Sequence, residues 1–356
     1  MLTRRNLLAA AAGSFPALTG LTAEGKKPLR YLQIGVGHAH ASKISVYAGS
    51  RDWEVVGIVE EDPELLQKAK SNPVYQPFPF FTLEEALNLP DLDVIGVETR
   101  VRDLLRYARV AVDKGCHVHL DKPAGADLAE YRTLMHSADR NGLVVQMGYM
   151  FRFNPAVQLM HRMLRAGWLG EVFETHAVMS KQMPAADRKA VGEFTGGTMF
   201  ELGCHIIDLT VGVLGRPEKV HSHPRRVLAT ADDSLTDNML AVFEYPGATA
   251  TVRSTALEVE GFSRRQFTVC GTDGTVHVQP LDRPSVTISL SKERRFEGED
   301  HVYPRGTSEI RFETPYPRYV GDAADLAATV RGEKENSYPS SQDLAVQETV
   351  LAAAAM

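Results

Sequence analysis

Apolar runs and helically spaced segments alternate along the first part of the chain. Leu29 to Ile34 is an apolar-rich run ending in Gly35-Val36-Gly37, as expected of a strand buried on both faces. His40 to Ala48 has helical spacing. Val55 to Val59 is a second strand, closed by Glu60-Glu61-Asp62-Pro63, and Pro63 to Ala69 is again helical in character. Thr82 is placed to cap a helix beginning at Leu83. Asp93 to Val97, His117 to Leu120 and Leu143 to Met147 supply three further strands. Between them, Leu104 to Lys114 and Asp127 to Asn141 are helices stopped by Gly115 and Gly142. This alternation predicts a doubly wound parallel sheet of the Rossmann type, with right-handed crossovers.

The pattern changes after Gly148. Pro155 to Ala166 is one helix. Beyond it, Val172 to Met179, Met239 to Tyr245, Thr249 to Ser254, Gln266 to Gly271, Thr275 to Gln279 and Val286 to Leu290 read as strands. Pro246-Gly247 and Asp273-Gly274 mark tight turns between some of them. The expectation is an α/β chain with a Rossmann domain over 28–150. A C-terminal α+β domain over 151–356 would follow, its sheet mainly antiparallel and open on one face. There is no long linker and no internal repeat.

The first residues stand apart. Thr3-Arg4-Arg5-Asn6-Leu7-Leu8 opens an apolar, alanine-rich run to about Leu21. An arginine pair before a short apolar stretch reads as a twin-arginine-type export signal over 1–23, with cleavage near Ala23 and a periplasmic destination. The run is too short to span a bilayer comfortably, so no membrane span is expected in the mature protein. Composition adds little: 44% apolar, 24% charged and a formal net charge of -6, with no basic patch to suggest nucleic acid. Cys116, Cys204 and Cys270 are odd in number and widely spaced, which fits neither a disulfide framework nor a CxxC metal site.

The chemistry begins at the first turn. A strand, then Gly35-x-Gly37, then a helix is the core of a dinucleotide fingerprint. The first glycine makes the turn, the second lets backbone approach a pyrophosphate, and the helix N-terminus offers free N–H groups. Glu60 ends the second strand, where an acidic residue holds ribose hydroxyls and repels a 2′-phosphate. NAD is therefore expected over NADP. His40 takes the third glycine position, leaving the fingerprint incomplete. Asp121-Lys122-Pro123 ends a strand on the side where such sheets bind ligands, so Lys122 can reach a substrate oxygen. Within Gly196 to Asp208, a helix would place Glu201, His205 and Asp208 at i, i+4 and i+7 on one face, the carboxylate orienting the imidazole for acid–base work. Three His-x-His pairs (His38/His40, His117/His119 and His221/His223) could each offer two metal ligands. Their expected places in a cofactor loop, a buried strand and a loop before Pro224 give no structural metal site.

Taken in order, these segments resemble the Gfo/Idh/MocA oxidoreductases, the glucose–fructose oxidoreductase and inositol dehydrogenase group. The matching positions are Gly35, Gly37, Glu60, Lys122, Pro123, Gly148, Tyr149, Arg152, Pro155, Glu201, Gly203, His205 and Asp208. The resemblance implies Lys122 and His205 as the central catalytic pair, with Glu201 in support. It places the cofactor against Gly35, Gly37, His38, His40, Glu60, Thr99, Asp121 and Lys122, and the substrate against Tyr149, Arg152 and Asp208. It implies an NAD(P)-dependent enzyme that oxidises a carbinol of a sugar or polyol, as a homo-oligomer. Because free NAD is scarce outside the cytoplasm, the cofactor would be held and recycled. Two departures stand out: Thr99-Arg100-Val101 replaces a Thr-Pro-Asn-type segment, and Leu104 stands where a histidine is usual. They leave open a non-catalytic sugar- or nucleotide-binding protein of the same fold, or an NAD-dependent glycosidase-type enzyme.

Overall fold

The computed structural model describes residues 26–229, 233–312 and 316–356. The export signal read over 1–23 lies outside the described residues. The first half builds β1 (Leu29–Ile34), α1 (Ile44–Gly49), β2 (Trp53–Val59), α2 (Pro63–Lys70), β3 (Phe80–Phe81), α3 (Leu83–Leu87), β4 (Val94–Val97), α4 (Leu104–Asp113), β5 (His117–Leu120), α5 (Leu128–Arg140) and β6 (Val145–Met147). The six strands are all parallel, in the order β3-β2-β1-β4-β5-β6. The crevice lies where the order reverses, between β1 and β4.

Local chemistry sets several of these boundaries. Asp62 caps α2 by accepting from the N–H groups of Glu64 and Leu65, and Pro63 supplies a first-turn residue that needs no partner. Thr82 and Glu85 form a reciprocal capping box on α3. The segment expected as one helix from His40 is split. A 3₁₀ turn over Ala41–Lys43 precedes α1, which tucks the Lys43 side chain beneath the sheet's carboxyl edge.

The second half contains α6 (Pro155–Arg165), β7 (Val172–Ser180), α7 (Ala185–Val191), α8 (Cys204–Leu214), β8 (Lys219–Arg225), β9 (Asn238–Glu244), β10 (Thr249–Thr255), β11 (Gln266–Gly271), β12 (Gly274–Val278), β13 (Ser285–Leu290), β14 (Gly306–Arg311), α9 (Val320–Val330) and α10 (Ser340–Ala353). The strands order as β14-β13-β12-β11-β7-β10-β9-β8, antiparallel except for the parallel β7/β10 pair. His221 and His223 lie on β8, not in a loop. This strand pairs only with β9, and an edge position tolerates Pro224, which has no N–H to donate.

The division near Gly148 leaves out one element. Helix α9 returns to the first sheet and packs Ala323, Leu326 and Ala327 against Tyr31, Tyr47 and Trp53. Tyr31 and Tyr47 stack there with centroids 4.0 Å apart. Helix α10 packs against α5, α8 and β8, tying the two halves together.

Candidate active site

Gly35 ends β1 with φ +92°, and a Cβ there would lie 2.6 Å from Thr99. Only glycine lets the β1 turn pass so close to the end of β4. Within this loop, the amides of Gly35, Val36, His38 and His40 are already bonded to Val59, Glu60, Glu98 and His38. Those of Gly37 and Ala39 make no hydrogen bond among the described residues. Two free N–H groups ahead of a helix fit a pyrophosphate. The adjoining cavity is lined by Gly35, Glu60, Asp62, Thr99 and Arg100 among others. Each Glu60 oxygen accepts one backbone N–H, from Val36 at 2.8 Å and Asp62 at 2.9 Å, so the carboxylate is locked and retains lone pairs for ribose. Arg100 pairs with Asp62 at 2.9 Å and Arg106 with Glu61 at 3.6 Å, which answers the two cations near this pocket.

At the end of β5, Lys122 is 2% exposed, and its ammonium donates to the Glu201 carbonyl at 2.8 Å and carboxylate at 3.0 Å. Burial works against the ammonium, but the neighbouring Glu201 carboxylate prevails and holds the pKa above its ordinary value. Lys122 is thus a cation with one of its three N–H donors uncommitted.

The expected shared face of Glu201, His205 and Asp208 does not form. Met199–Gly203 is a π-helical turn leading into α8, and it changes the register between Glu201 and the residues after it. Glu201 holds Lys122. His205 faces the edges of Phe151 and Tyr149, with centroids 5.4 and 6.1 Å away, and its buried Nδ1 is unpartnered. Burial, reinforced by the charge of Lys122, holds its pKa well below the usual range, so the ring is neutral.

Asp208 leaves the site altogether. It binds Arg152 with both oxygens, at 2.6–3.1 Å, and Asp343 of α10 takes a further guanidinium N–H at 2.5 Å. Arg152 and Asp208 are each 2% exposed. The substrate role expected of this pair is corrected to a buried clamp joining the 150–153 turn, α8 and α10. Tyr149 lies between the two systems, its ring 4.9 Å from the Arg152 guanidinium carbon.

Asp121, expected beside the cofactor, is wholly buried among protein groups. Its Oδ1 accepts from the Lys122 amide at 2.7 Å and lies 3.1 Å from His40 Nδ1, while Oδ2 takes the Lys43 ammonium at 2.6 Å. Burial opposes this carboxylate, but His38, Lys43 and His40 around it hold it ionised. The proton positions follow from the partners. His38 Nε2 lies 3.0 Å from the Lys122 carbonyl, which can only accept, while its Nδ1 lies 3.2 Å from the His40 amide nitrogen and 3.3 Å from Asp121 Oδ2. Lys43 also reaches Glu98 at 2.9 Å and His119 Nε2 at 3.2 Å, which leaves the His119 proton on Nδ1, toward Tyr47. Burial and the nearby Asp121 raise the Glu98 carboxyl well above its ordinary range. Ligand atoms of His38, His40 and Asp121 come within 4.8 Å of one another. The positive charge such a cluster needs is supplied by Lys43. Lys43, Glu98, His119 and Tyr47 were not singled out as site residues, because only the fold brings them under one strand edge.

Comparison with known proteins agrees with this geometry. Residues 29–149 match the model of an oxidoreductase family with an NAD-binding Rossmann fold, and 157–277 match the GFO/IDH/MocA C-terminal domain. The oxidoreductase YhhX of Escherichia coli is 26% identical over 240 residues, 67% of each chain. Trans-1,2-dihydrobenzene-1,2-diol dehydrogenase of Bos taurus is 25% identical over 250 residues, 69% of this chain and 72% of that protein. Among solved structures, the WlbA dehydrogenase of Bordetella pertussis, in complex with NADH and UDP-GlcNAcA, superposes with a TM-score of 0.71 at 19% identity. That match covers 92% of this chain and 97% of that one. The two matches together span most of the chain, and it belongs to the Gfo/Idh/MocA family of NAD-binding oxidoreductases.

Proposed function

We propose that this chain is an exported dehydrogenase that oxidises a carbinol of a sugar or polyol, with NAD as its resident cofactor. The observation that carries the reading is the convergence of Lys122, Glu201 and His205 beside the Gly35–Gly37 loop. Bound NAD supplies the hydride acceptor. The remaining N–H of Lys122 binds the substrate oxygen and stabilises the alkoxide that develops there. His205, its ring held neutral by burial and the charge of Lys122, accepts the hydroxyl proton. Glu201 fixes the lysine. D-xylose 1-dehydrogenase (NADP(+)) 2 of Haloferax volcanii, 28% identical over 177 residues, supports a sugar hydroxyl as the reacting group. Glu60, with Glu61 and Asp62 beside it, favours NAD over a cofactor bearing a 2′-phosphate.

Export rests on the Arg4-Arg5 signal, and a twin-arginine route carries folded protein with its cofactor in place. Purified mature protein should therefore yield about one nucleotide per chain by mass spectrometry. Lys122→Ala should keep the nucleotide and lose about 10²- to 10⁴-fold in hydride transfer from a polyol panel. Turnover of Lys122→Ala near the wild-type kcat would sink the catalytic assignment. An empty mature protein that depends on added NAD would contradict the resident cofactor. The open face of the second sheet supports a homo-oligomer, which light scattering would test.

A further inference from the structure

The second domain brings two further cations to the cleft of Lys122 and His205, and their charges are not cancelled there. Residues two apart on a strand share a face, so Lys181, one step past β7, continues the face of Ala177 and Met179. Those two pack in one core with Met199, Phe200 and Cys204, which turns this face toward the π-helical turn that carries Glu201. The Lys181 amide donates to the Thr255 carbonyl at 3.1 Å, so the backbone is still held beside β10 at this step. The charges acting on the Lys181 ammonium are those of Asp187, Arg265, Glu201 and Lys122. The side chain is half-buried and makes no ion pair or hydrogen bond among the described residues.

Arg265 is the second cation, 6% exposed and firmly placed. Its Nε donates to the Ser180 carbonyl at 3.0 Å and its Nη1 to both Asp282 oxygens at 3.1 Å. The guanidinium carbon lies 3.8 Å from the Phe262 ring centroid. Nη2 has no hydrogen bond among the described residues and is not sealed from solvent. Asp282 also takes Arg318 at 2.6 Å, and the neighbouring Tyr319 ring lies 5.6 Å from that of His40. The charge of Arg265 is felt at His205. One carboxylate thus answers two guanidinium groups, and Glu201 answers Lys122. Lys181 and one guanidinium are left over. Burial lowers the pKa of both Lys181 and Arg265, a cost that a bound anion relieves.

We propose that Arg265 and Lys181 form a carboxylate subsite, so that the substrate is a sugar acid, a uronate or an aldonate, oxidised at a carbinol away from its acid group. This rests on the dehydrogenase reading above. Arg265 Nη2 binds one carboxylate oxygen and the Lys181 ammonium the other. Asp282, the Ser180 carbonyl and Phe262 fix the guanidinium before any ligand arrives, so little freedom is lost on binding. One free guanidinium nitrogen and one ammonium match the two oxygens of a carboxylate, whereas a phosphate would leave an oxygen unanswered. A neutral polyol has no group to meet these cations. Anchored by its acid group, the sugar presents a carbinol to Lys122 and His205 in one orientation.

The test uses matched pairs: D-glucose with D-glucuronate, and D-galactose with D-galacturonate, with D-gluconate and D-glucose 6-phosphate added. Oxidation by the NAD-loaded protein is followed as NADH, and calorimetry reads binding of each acid independently of turnover. An acid should exceed its neutral partner by about 10- to 100-fold in kcat/KM. Lys181→Gln should reduce that ratio by about tenfold, and Lys181→Arg should restore most of it. Arg265→Lys should weaken acid binding in the same way, and Lys181→Gln decides the matter should Arg265→Lys fold poorly. The subsite is overturned if no acid is preferred to its neutral partner, if D-glucose 6-phosphate is preferred to every acid, or if Lys181→Gln keeps the full ratio. Turnover of neutral sugars without that preference would leave the dehydrogenase reading standing alone. Acid binding that Lys181→Gln weakens, with no sugar oxidised, would remove the dehydrogenase reading and leave the subsite.

Discussion

Asp322 lies in the first turn of α9, 1% exposed, and neither carboxylate oxygen is hydrogen-bonded to another residue. Burial pushes its pKa from 3.8 to about 6, against the pull of Lys43. Between those values the folded chain keeps a proton that the unfolded chain has released. Stability from this group is therefore full below the lower value and lost as pH rises through the upper one. Asp322→Asn should raise stability by on the order of 2 kcal/mol at about pH 8 and leave it unchanged near pH 3, read from denaturant melts at both pH values. Gly35 makes an opposite case. With φ +92° and Thr99 at 2.6 Å from a built Cβ, Gly35→Ala has no conformation to relax into. It should cost about 1–3 kcal/mol and abolish nucleotide retention, measured by melting and by bound-nucleotide assay.

At the scale of elements, the Arg152 clamp is the junction to break. Arg152→Met leaves Asp208 and Asp343 as buried carboxylates without their cation, and should lower unfolding free energy by about 3–5 kcal/mol in chemical denaturation. An effect confined to KM, with stability intact, would return Arg152 to the substrate. This scale also shows what the sequence displayed. Five of the six parallel strands were legible because burial on both faces makes them apolar runs, whereas the two-residue β3 was too short to show. Strands β9 to β13 were legible from alternation and turn residues. Strand β8 was hidden by Pro224 and its histidines, since an edge strand has only half its hydrogen bonds to protect. Helices α9 and α10 were missed because no local pattern says which sheet a helix will cover. At the site, Lys122, Glu201 and His205 were visible as motifs. The π-helical turn that separates Glu201 from His205, and the Lys43 network beneath Asp121, arise only from tertiary packing.

For the molecule as a whole, the first sheet is not self-sufficient. One face of β1 and β2 is closed by Ala323, Leu326 and Ala327, which lie more than 260 residues downstream of Trp53. Residues 26–150 expressed alone should show no cooperative melt, and a fragment that adds 316–356 in trans should restore one by circular dichroism. A sharp transition of 26–150 by itself would show that α9 is dispensable. The same return secures the described start of the chain. Lys26 pairs with Glu333, and Arg331 bonds the Lys27 carbonyl and both the carbonyl and carboxylate of Asp52.

That closure has a consequence in the order of synthesis. The ribosome makes the nucleotide-binding sheet first and the helix that seals it only after β7 to β14. The Rossmann half therefore cannot finish folding as it emerges. It waits, with its aromatic face uncovered, until α9 has emerged. A secretion machine that threads nascent chains would meet an incomplete domain, whereas one that accepts finished molecules would meet the chain after its last helix had docked.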